Sequence, residues 1–154
     1  MQRFRIVLFV IVAATLLGCF GVAAQGAKET QFKTQGAVRA SLDRLIEAYE
    51  GRQLSRFMAS VAEDYVGERL VLESAVQSDF SSLHNMSIRY TVNHITFDGN
   101  GNASIGMNFV RSHMGKKSGK VSKTNGTAEL VFKIEAGVYK LYSMKPVLFG
   151  ITNN

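Results

Sequence analysis

Hydrophobic positions in the first half of the chain repeat at the spacing of α-helices. The first stripe consists of Val38, Leu42, Leu45, Ile46 and Tyr49. Apolar residues at i, i+4, i+7, i+8 and i+11 form one face of an amphipathic helix, and Gly51 predicts where this helix ends. Two further stripes predict a short helix over residues 54–65 and a third helix from about Glu68 to Leu83.

After Asn85 the hydrophobic period changes from 3.6 to 2, which is the spacing of β-strands. The alternation that reaches Val92 changes parity at Ile95, so a β-bulge is predicted near His94. Asn125-Gly126 is also a turn signal, but a turn there would leave too little strand before it, so we predict a second bulge inside a long strand. The turns that separate four predicted strands are residues 98–102, 114–119 and 135–137. Helices followed by antiparallel strands predict an α+β fold.

The N-terminal segment has the pattern of an export signal. Arg3 and Arg5 precede an apolar run over residues 6–17, about twelve residues, which is shorter than the ~20 residues that a membrane-spanning helix needs. The residues that follow, Leu16-Leu17-Gly18-Cys19, resemble the bacterial lipobox, whose cysteine is lipidated and becomes the new N-terminus. This resemblance implies a signal peptide over residues 1–18 and a lipid anchor on Cys19.

Two other outcomes of export are left open by the sequence. Cleavage after Ala24 would give a soluble secreted or periplasmic protein, and an uncleaved signal would remain as an anchor. All three outcomes place the folded part outside the cytoplasm, where Cys19, the single cysteine, has no disulfide partner in the chain. In a Gram-negative source, Phe20 in place of aspartate after the cysteine implies the outer membrane by resemblance to known lipoproteins.

Composition limits the protein to one ordinary domain. The chain has 154 residues, 46% of them hydrophobic, which is enough for a core and too many for a disordered chain. Small and polar residues over 19–36 predict a flexible tether, so the domain is expected to span residues 37–154. Loss of Arg3 and Arg5 with the signal lowers the formal net charge from +6 to +4. This excess is too small to predict nucleic-acid binding.

The order of elements resembles the nuclear transport factor 2-like (NTF2-like) superfamily, which includes the SnoaL-like and ketosteroid-isomerase-like proteins. The residues that carry the resemblance are Leu54, Phe57, Met58, the step Ala62–Tyr65 and the final strand Tyr139–Lys145. It covers about residues 37–145. The resemblance implies a cone, in which N-terminal helices pack on a curved antiparallel sheet of four or more strands.

The resemblance also implies a pocket at the open end of the cone. Members of this superfamily include isomerases, dehydratases, cyclases, and binding or assembly modules without catalysis. The isomerases use a tyrosine on the first helix and a carboxylate after the second, and the corresponding residues here are Leu45 and Arg69. The isomerase residues are therefore not carried over, and the fold alone does not assign a reaction.

Candidate catalytic residues are few. His94 is a candidate because bulges often re-aim side chains near sites, and Tyr90 and Glu68 complete the best available set for a pocket enzyme of the isomerase, dehydratase or cyclase type. An exposed strand histidine is the simpler interpretation of His94. Three separated histidines without paired cysteines give no metal pattern, and no cofactor is expected.

Candidate binding residues favour a non-catalytic function. Arg111 shares the parity of the inward residues of its strand, so it would either hold an anionic group at the pocket mouth or extend past the rim into water. Tyr65, Tyr90 and Phe109 would line an apolar pocket or simply pack in the core. We therefore expect an envelope lipoprotein that binds a small apolar ligand or a protein partner.

Two surfaces suggest further partners. Val131, Tyr142 and Met144 are apolar by parity on the outer face of the sheet, so a homodimer that acts as an assembly module is an alternative. One hairpin carries the main basic cluster, formed by Lys116, Lys117, Lys120 and Lys123. This cluster is either a solvated tip that discourages edge pairing or a contact with anionic envelope components.

Overall fold

A computed structural model describes the backbone of residues 20–151 and the side chains of residues 34–151. Three helices precede four strands. The helices are α1 (Phe20–Glu50), α2 (Leu54–Ala59) and α3 (Arg69–Ser82). The strands are β1 (Leu83–Phe97), β2 (Ala103–Gly115), β3 (Val121–Glu135) and β4 (Val138–Lys145). The predicted signal peptide and Cys19 lie outside the described residues.

The first helix begins earlier than the sequence pattern indicates. Residues 20–36, which we expected to form a flexible tether, are helical in α1. Their alanine, glutamine, lysine and glutamate residues favour helix, and proline is absent from the segment. Within the described chain, a boundary between two units falls after Gly36. Within the described residues, we find no helix whose length and apolar character would let it span a bilayer.

The second helix is shorter than predicted. It ends at Ala59, because the next residues leave it to pair with β4. Backbone hydrogen bonds join Leu141 N to Ser60 O at 2.8 Å and Ala62 N to Leu141 O at 2.9 Å. Phe57 is fully buried on the inner side of α2. The sheet interaction therefore overrides the helical spacing that continues toward Tyr65.

The four strands form one antiparallel sheet in the order β1-β2-β3-β4. The bulge predicted near His94 is confirmed, because the register of β1 against β2 shifts between Val92 and His94. The bulge predicted at Asn125-Gly126 is wrong, because β2 and β3 stay in continuous register there. Gly126 faces the ring of Phe109 instead, and a Cβ at Gly126 would lie 3.5 Å from that ring.

The inner face of the sheet and the helices enclose a single core. Alternate residues of β2 and β3 point inward, and the stripe of α1 that begins at Val38 packs against them. The largest fully buried side chains include Tyr49, Phe57, Leu42, Ile105, Leu130 and Phe132. The architecture matches the α+β class that the hydrophobic pattern predicts and the cone that the family resemblance implies.

The outer face of the sheet differs from the expectation at one residue. The register of β3 against β4 shifts between Val131 and Phe132, which reverses the parity of the following residues of β4. Met144 therefore pairs with Leu130, whose side chain is in the core. The placement of Met144 on the outer face was wrong. Val131 is half-buried, and Tyr142 has the Lys133 ammonium 5.5 Å from its ring centroid.

A C-terminal strap, residues 146–151, follows β4 and turns back into the domain. Leu148 and Phe149 are fully buried. Gly150 has a φ of 76°, a conformation that favours glycine, and a Cβ there would lie 2.6 Å from the Cβ of Ala75. The strap therefore completes the core at a place that the helices and the sheet leave open.

Candidate functional site

An apolar groove lies beside the strap. Its volume is about 530 Å³, within the usual range of ligand pockets. The loop before α3, the first turns of α3, the end of β4 and the strap form its walls. The lining residues are Tyr65, Val66, Gly67, Leu70, Val71, Leu72, Ser74, Ala75, Ser143, Met144, Val147, Phe149 and Gly150.

The groove contains no charged side chain among its lining residues. Four of the seven large apolar residues that are exposed in the described chain belong to it: Val66, Leu70, Val71 and Val147. Leu70 is 76% exposed. Burial raises the pKa of Tyr65, so its hydroxyl is neutral at physiological pH. The groove therefore offers apolar surface and neutral hydroxyl groups.

Behind the strap, a buried tyrosine and a buried aspartate form a hydrogen-bonded pair. Tyr49 lies on α1 and donates its hydroxyl proton to Asp79 Oδ2 on α3, at 2.6 Å. The same carboxylate oxygen accepts the backbone N–H groups of Gly150 at 2.8 Å and Ile151 at 3.0 Å. Asp79 is fully buried. These bonds fix the strap to the inner side of α3.

Electrostatics in this region follow from burial. Burial, reinforced by the hydrogen bond and the charge of Asp79, raises the pKa of Tyr49 far above its usual value. Arg111 on β2 is half-buried, which lowers the pKa of its guanidinium, and its Nη1 donates to Leu148 O at 2.8 Å. Burial and the charge of Arg111 lower the pKa of His113.

The strap fills the interior of the cone beside these polar groups. The ring centroid of Phe149 lies 5.0 Å from that of Tyr49 and 5.1 Å from that of Phe57, both in edge contacts. Each such aromatic pair adds about 0.5–1.5 kcal/mol beyond its buried area. The chain's own residues thus occupy the space where a ligand would meet Tyr49 and Asp79.

The three candidate catalytic residues lie in separate places. His94 is exposed on the outer face, with its ring directly over Gly106. The Tyr90 hydroxyl donates to Asp43 of α1. Glu68 is exposed at the start of α3, with a φ of 60°. The structure does not bring these residues together.

The candidate binding residues are also dispersed. Tyr65 lines the groove and is half-buried. Phe109 is buried in the core beside Gly126. Arg111 points inward, as its parity predicts, and binds the strap carbonyl rather than lining the groove. Tyr90 and Phe109 border a shallow depression of about 170 Å³ on the sheet.

Asp79 was not among the residues that the sequence singled out. A signal was present, because Asp79 falls seven residues after Leu72 and three after Val76, on the buried stripe of α3. An acidic residue on an apolar helical face needs a buried partner.

Among the residues that the structure describes, no group of three or more metal-ligating side chains occurs.

Comparison with known proteins identifies the fold. No family model matches the sequence, and no curated protein matches it at a significant level. Solved structures of similar fold include a provisionally assigned scytalone dehydratase from Novosphingobium aromaticivorans, with 12% identity, coverage of 76% of this chain and 85% of that chain, and a TM-score of 0.69. A provisionally assigned dehydratase of the NTF2-like family from Streptomyces avermitilis has 15% identity, coverage of 75% and 98%, and a TM-score of 0.64.

A third similar structure is a ketosteroid isomerase-like protein from Erwinia carotovora atroseptica, with 13% identity, coverage of 71% and 91%, and a TM-score of 0.61. The domain therefore has the NTF2-like cone fold. Because proteins named as dehydratases and isomerases share this fold, the fold alone does not assign a reaction.

Replacement of Tyr49 with phenylalanine has an expected dependence on pH. At pH 7 the variant is less stable, because Asp79 loses a buried donor. Above about pH 10 the unfolded wild type releases the Tyr49 proton and the folded state keeps it, so wild-type stability falls as the pH rises. The phenylalanine variant does not undergo this loss of stability. The difference in free energy of unfolding between wild type and variant should therefore become smaller as the pH rises above about 10.

Urea unfolding of both proteins between pH 7 and pH 11 measures this difference. The other tyrosines with raised pKa values are present in both proteins, so their contributions cancel. A difference that stays constant or grows through pH 10 would contradict the buried Tyr49–Asp79 pair.

Proposed function

We propose that this protein is a non-catalytic envelope lipoprotein whose cone-shaped domain binds a small apolar ligand in the apolar groove. The proposal rests mainly on one observation: the apolar surface of the groove is separate from the buried polar groups that could take part in catalysis. The open groove has no charged lining residue, whereas the buried polar groups bind the strap. A ligand in the groove would meet no carboxylate or imidazole suited to acid–base chemistry.

Exposed apolar surface supports the same proposal. A contiguous exposed apolar patch on a soluble domain usually marks a binding site, and Leu70 and Val71 are both exposed and part of the groove lining. The lining hydroxyl groups of Tyr65, Ser74 and Ser143 can orient one polar function of a ligand. A protein partner that inserts an apolar side chain would use the same surface.

The binding test uses the neutral apolar fluorophore N-phenyl-1-naphthylamine. We expect its fluorescence to rise on binding to the wild type and its affinity to fall by roughly tenfold or more in Val71→Asp, because the introduced carboxylate would be desolvated by the ligand. Val71 is 57% exposed, so the substitution does not disturb the core. Fluorescence titration at constant ionic strength measures both affinities.

Val138→Asp is the matched control, since Val138 is also an exposed valine but lies on β4 away from the groove lining. It should bind the fluorophore like the wild type. Equal weakening by both substitutions, or no binding by the wild type, would refute the apolar groove as a ligand site.

The envelope location is proposed from the lipobox resemblance at Cys19. In a bacterial host, we expect the wild type to remain in the membrane fraction with the added mass of a diacylglycerol group, and Cys19→Ala to lose both. Intact-mass measurement of the membrane and soluble fractions tests this. A wild-type product that is soluble and begins at Gln25 would replace the anchor with ordinary secretion.

A pocket enzyme of the isomerase, dehydratase or cyclase type is the second candidate. The buried Tyr49–Asp79 pair favours it, and so do the names of the similar structures, which include two dehydratases and an isomerase-like protein. Opening of the strap would be needed before a substrate could reach this pair. A homodimer through the outer face of the sheet is a third proposal, which the molar mass in solution tests.

A further inference from the structure

The third strand has an edge that no other described strand covers. Strand β4 pairs with Glu129–Glu135 and ends at Lys145, whereas β3 begins at Val121. Residues 121–128 therefore have β2 on one side only. We call residues 121–128 the free edge. Val121 and residues 123–127 are exposed to solvent.

Backbone groups along the free edge alternate in direction. The Gly115 N–H donates to Lys120 O at 3.0 Å, at the start of the β2–β3 hairpin. Hydrogen-bonded pairs alternate along an antiparallel ladder, so the backbone groups of even-numbered residues face β2. Those that face away belong to Val121, Lys123, Asn125 and Thr127. These four residues can accept another strand.

The positive charge around the free edge determines which kind of partner strand can bind there. Residues 112–128 include four lysines and contain no aspartate or glutamate. Lys117, Lys120 and Lys123 are exposed, whereas Lys116 donates to Phe80 O at 2.9 Å. A second copy that paired edge to edge would bring like charges together, which is unfavourable. An acidic partner would instead find complementary charge.

We propose that the free edge binds an extended acidic peptide segment of a partner protein as an added β-strand. Main-chain hydrogen bonds to the outward groups would supply affinity, and the lysines would select the sequence. A cleft of about 430 Å³, whose lining includes His94, Thr127, Ala128, Lys145 and the carboxylate-bearing Glu129, lies at the end of this edge. It gives space to a side chain at the end of the added strand.

The binding test uses a fluorescein-labelled peptide of eight residues that alternate glutamate and valine, titrated with the full chain. Fluorescence anisotropy should report binding of this peptide. Two control peptides keep the length: one has lysine in place of glutamate, and the other is N-methylated at alternate residues. Both should bind at least roughly tenfold more weakly, since they remove charge complementarity and main-chain donors respectively.

Two variants of the protein test the location of the site. Asn125→Pro removes one outward N–H and leaves the hydrogen bonds to β2 intact, as proline is tolerated on strand edges. The triple variant Lys117→Glu, Lys120→Glu and Lys123→Glu reverses the charge. Both should weaken binding by roughly tenfold. Arg56→Glu reverses an exposed charge on α2 and should bind like the wild type.

Circular dichroism confirms that each variant is folded before titration. Equal affinity for the acidic and lysine peptides, or wild-type affinity in both edge variants, would overturn the proposal. Binding to anionic phospholipid vesicles with no binding of the acidic peptide would also overturn it, and would assign the lysines to a membrane surface. None of these outcomes depends on the apolar groove.

Discussion

Replacement of Asp79 with alanine is expected to lower the free energy of unfolding by about 3 kcal/mol or more. Three donors lose their acceptor: the Tyr49 hydroxyl and the backbone N–H groups of Gly150 and Ile151. Each unpaired buried polar group costs about 1–3 kcal/mol. Urea unfolding at pH 7, followed by far-ultraviolet circular dichroism, measures the loss.

Two further variants separate the hydrogen bonds of Asp79 from its position on α3. Asp79→Asn keeps the shape and one acceptor oxygen, so it should lose less stability than the alanine variant. Gln77→Ala changes an exposed residue of the same helix and should alter stability by less than about 0.5 kcal/mol. An Asp79→Ala protein as stable as the wild type would contradict the role of this carboxylate in holding the strap.

Replacement of Phe149 with alanine is expected to cost about 3–5 kcal/mol, the usual range for a buried phenylalanine. Its side chain is fully buried and contacts the rings of Tyr49 and Phe57. Because Phe149 also lines the apolar groove, the affinity of the variant for N-phenyl-1-naphthylamine should differ from that of the wild type. Thermal and urea unfolding measure stability, and the fluorescence titration measures the groove.

Val147→Ala is the control for this variant, since Val147 is in the same strap and is 48% exposed. Its expected loss of stability is below about 1 kcal/mol. Similar losses of stability in Phe149→Ala and Val147→Ala would contradict the specific role of the Phe149 ring. They would mean that the strap as a whole, and not the inserted ring, stabilises the domain.

The fold was largely predictable from the sequence because each helix and strand shows its own spacing of hydrophobic residues within a short stretch of the chain. The stripe from Val38 to Tyr49 predicted the inner face of α1, and the parity change after Val92 predicted the bulge. The errors have non-local causes. Helix α2 ends early because Ser60 and Ala62 bond to Leu141, and Met144 turns inward because the register between β3 and β4 shifts.

The site was less predictable because its parts are far apart in the sequence. Asp79 stood out only as an acid on an apolar stripe, and its partners Gly150 and Ile151 lie 71 and 72 residues away. The strap has no periodic pattern of its own. Groove residues Val66 and Leu70 are ordinary apolar residues in sequence, and only the ending of α2 and the return of the strap place them around one cavity.

Hydrogen exchange at the two backbone amides that Asp79 binds also reports opening of the strap. Gly150 and Ile151 donate their N–H groups to a fully buried oxygen, so exchange of these hydrogens with deuterium requires the strap to leave the cone. Their exchange free energy can therefore be compared with that of core amides in β2. A lower value for the two strap amides would identify access to the cone interior as a motion separate from global unfolding.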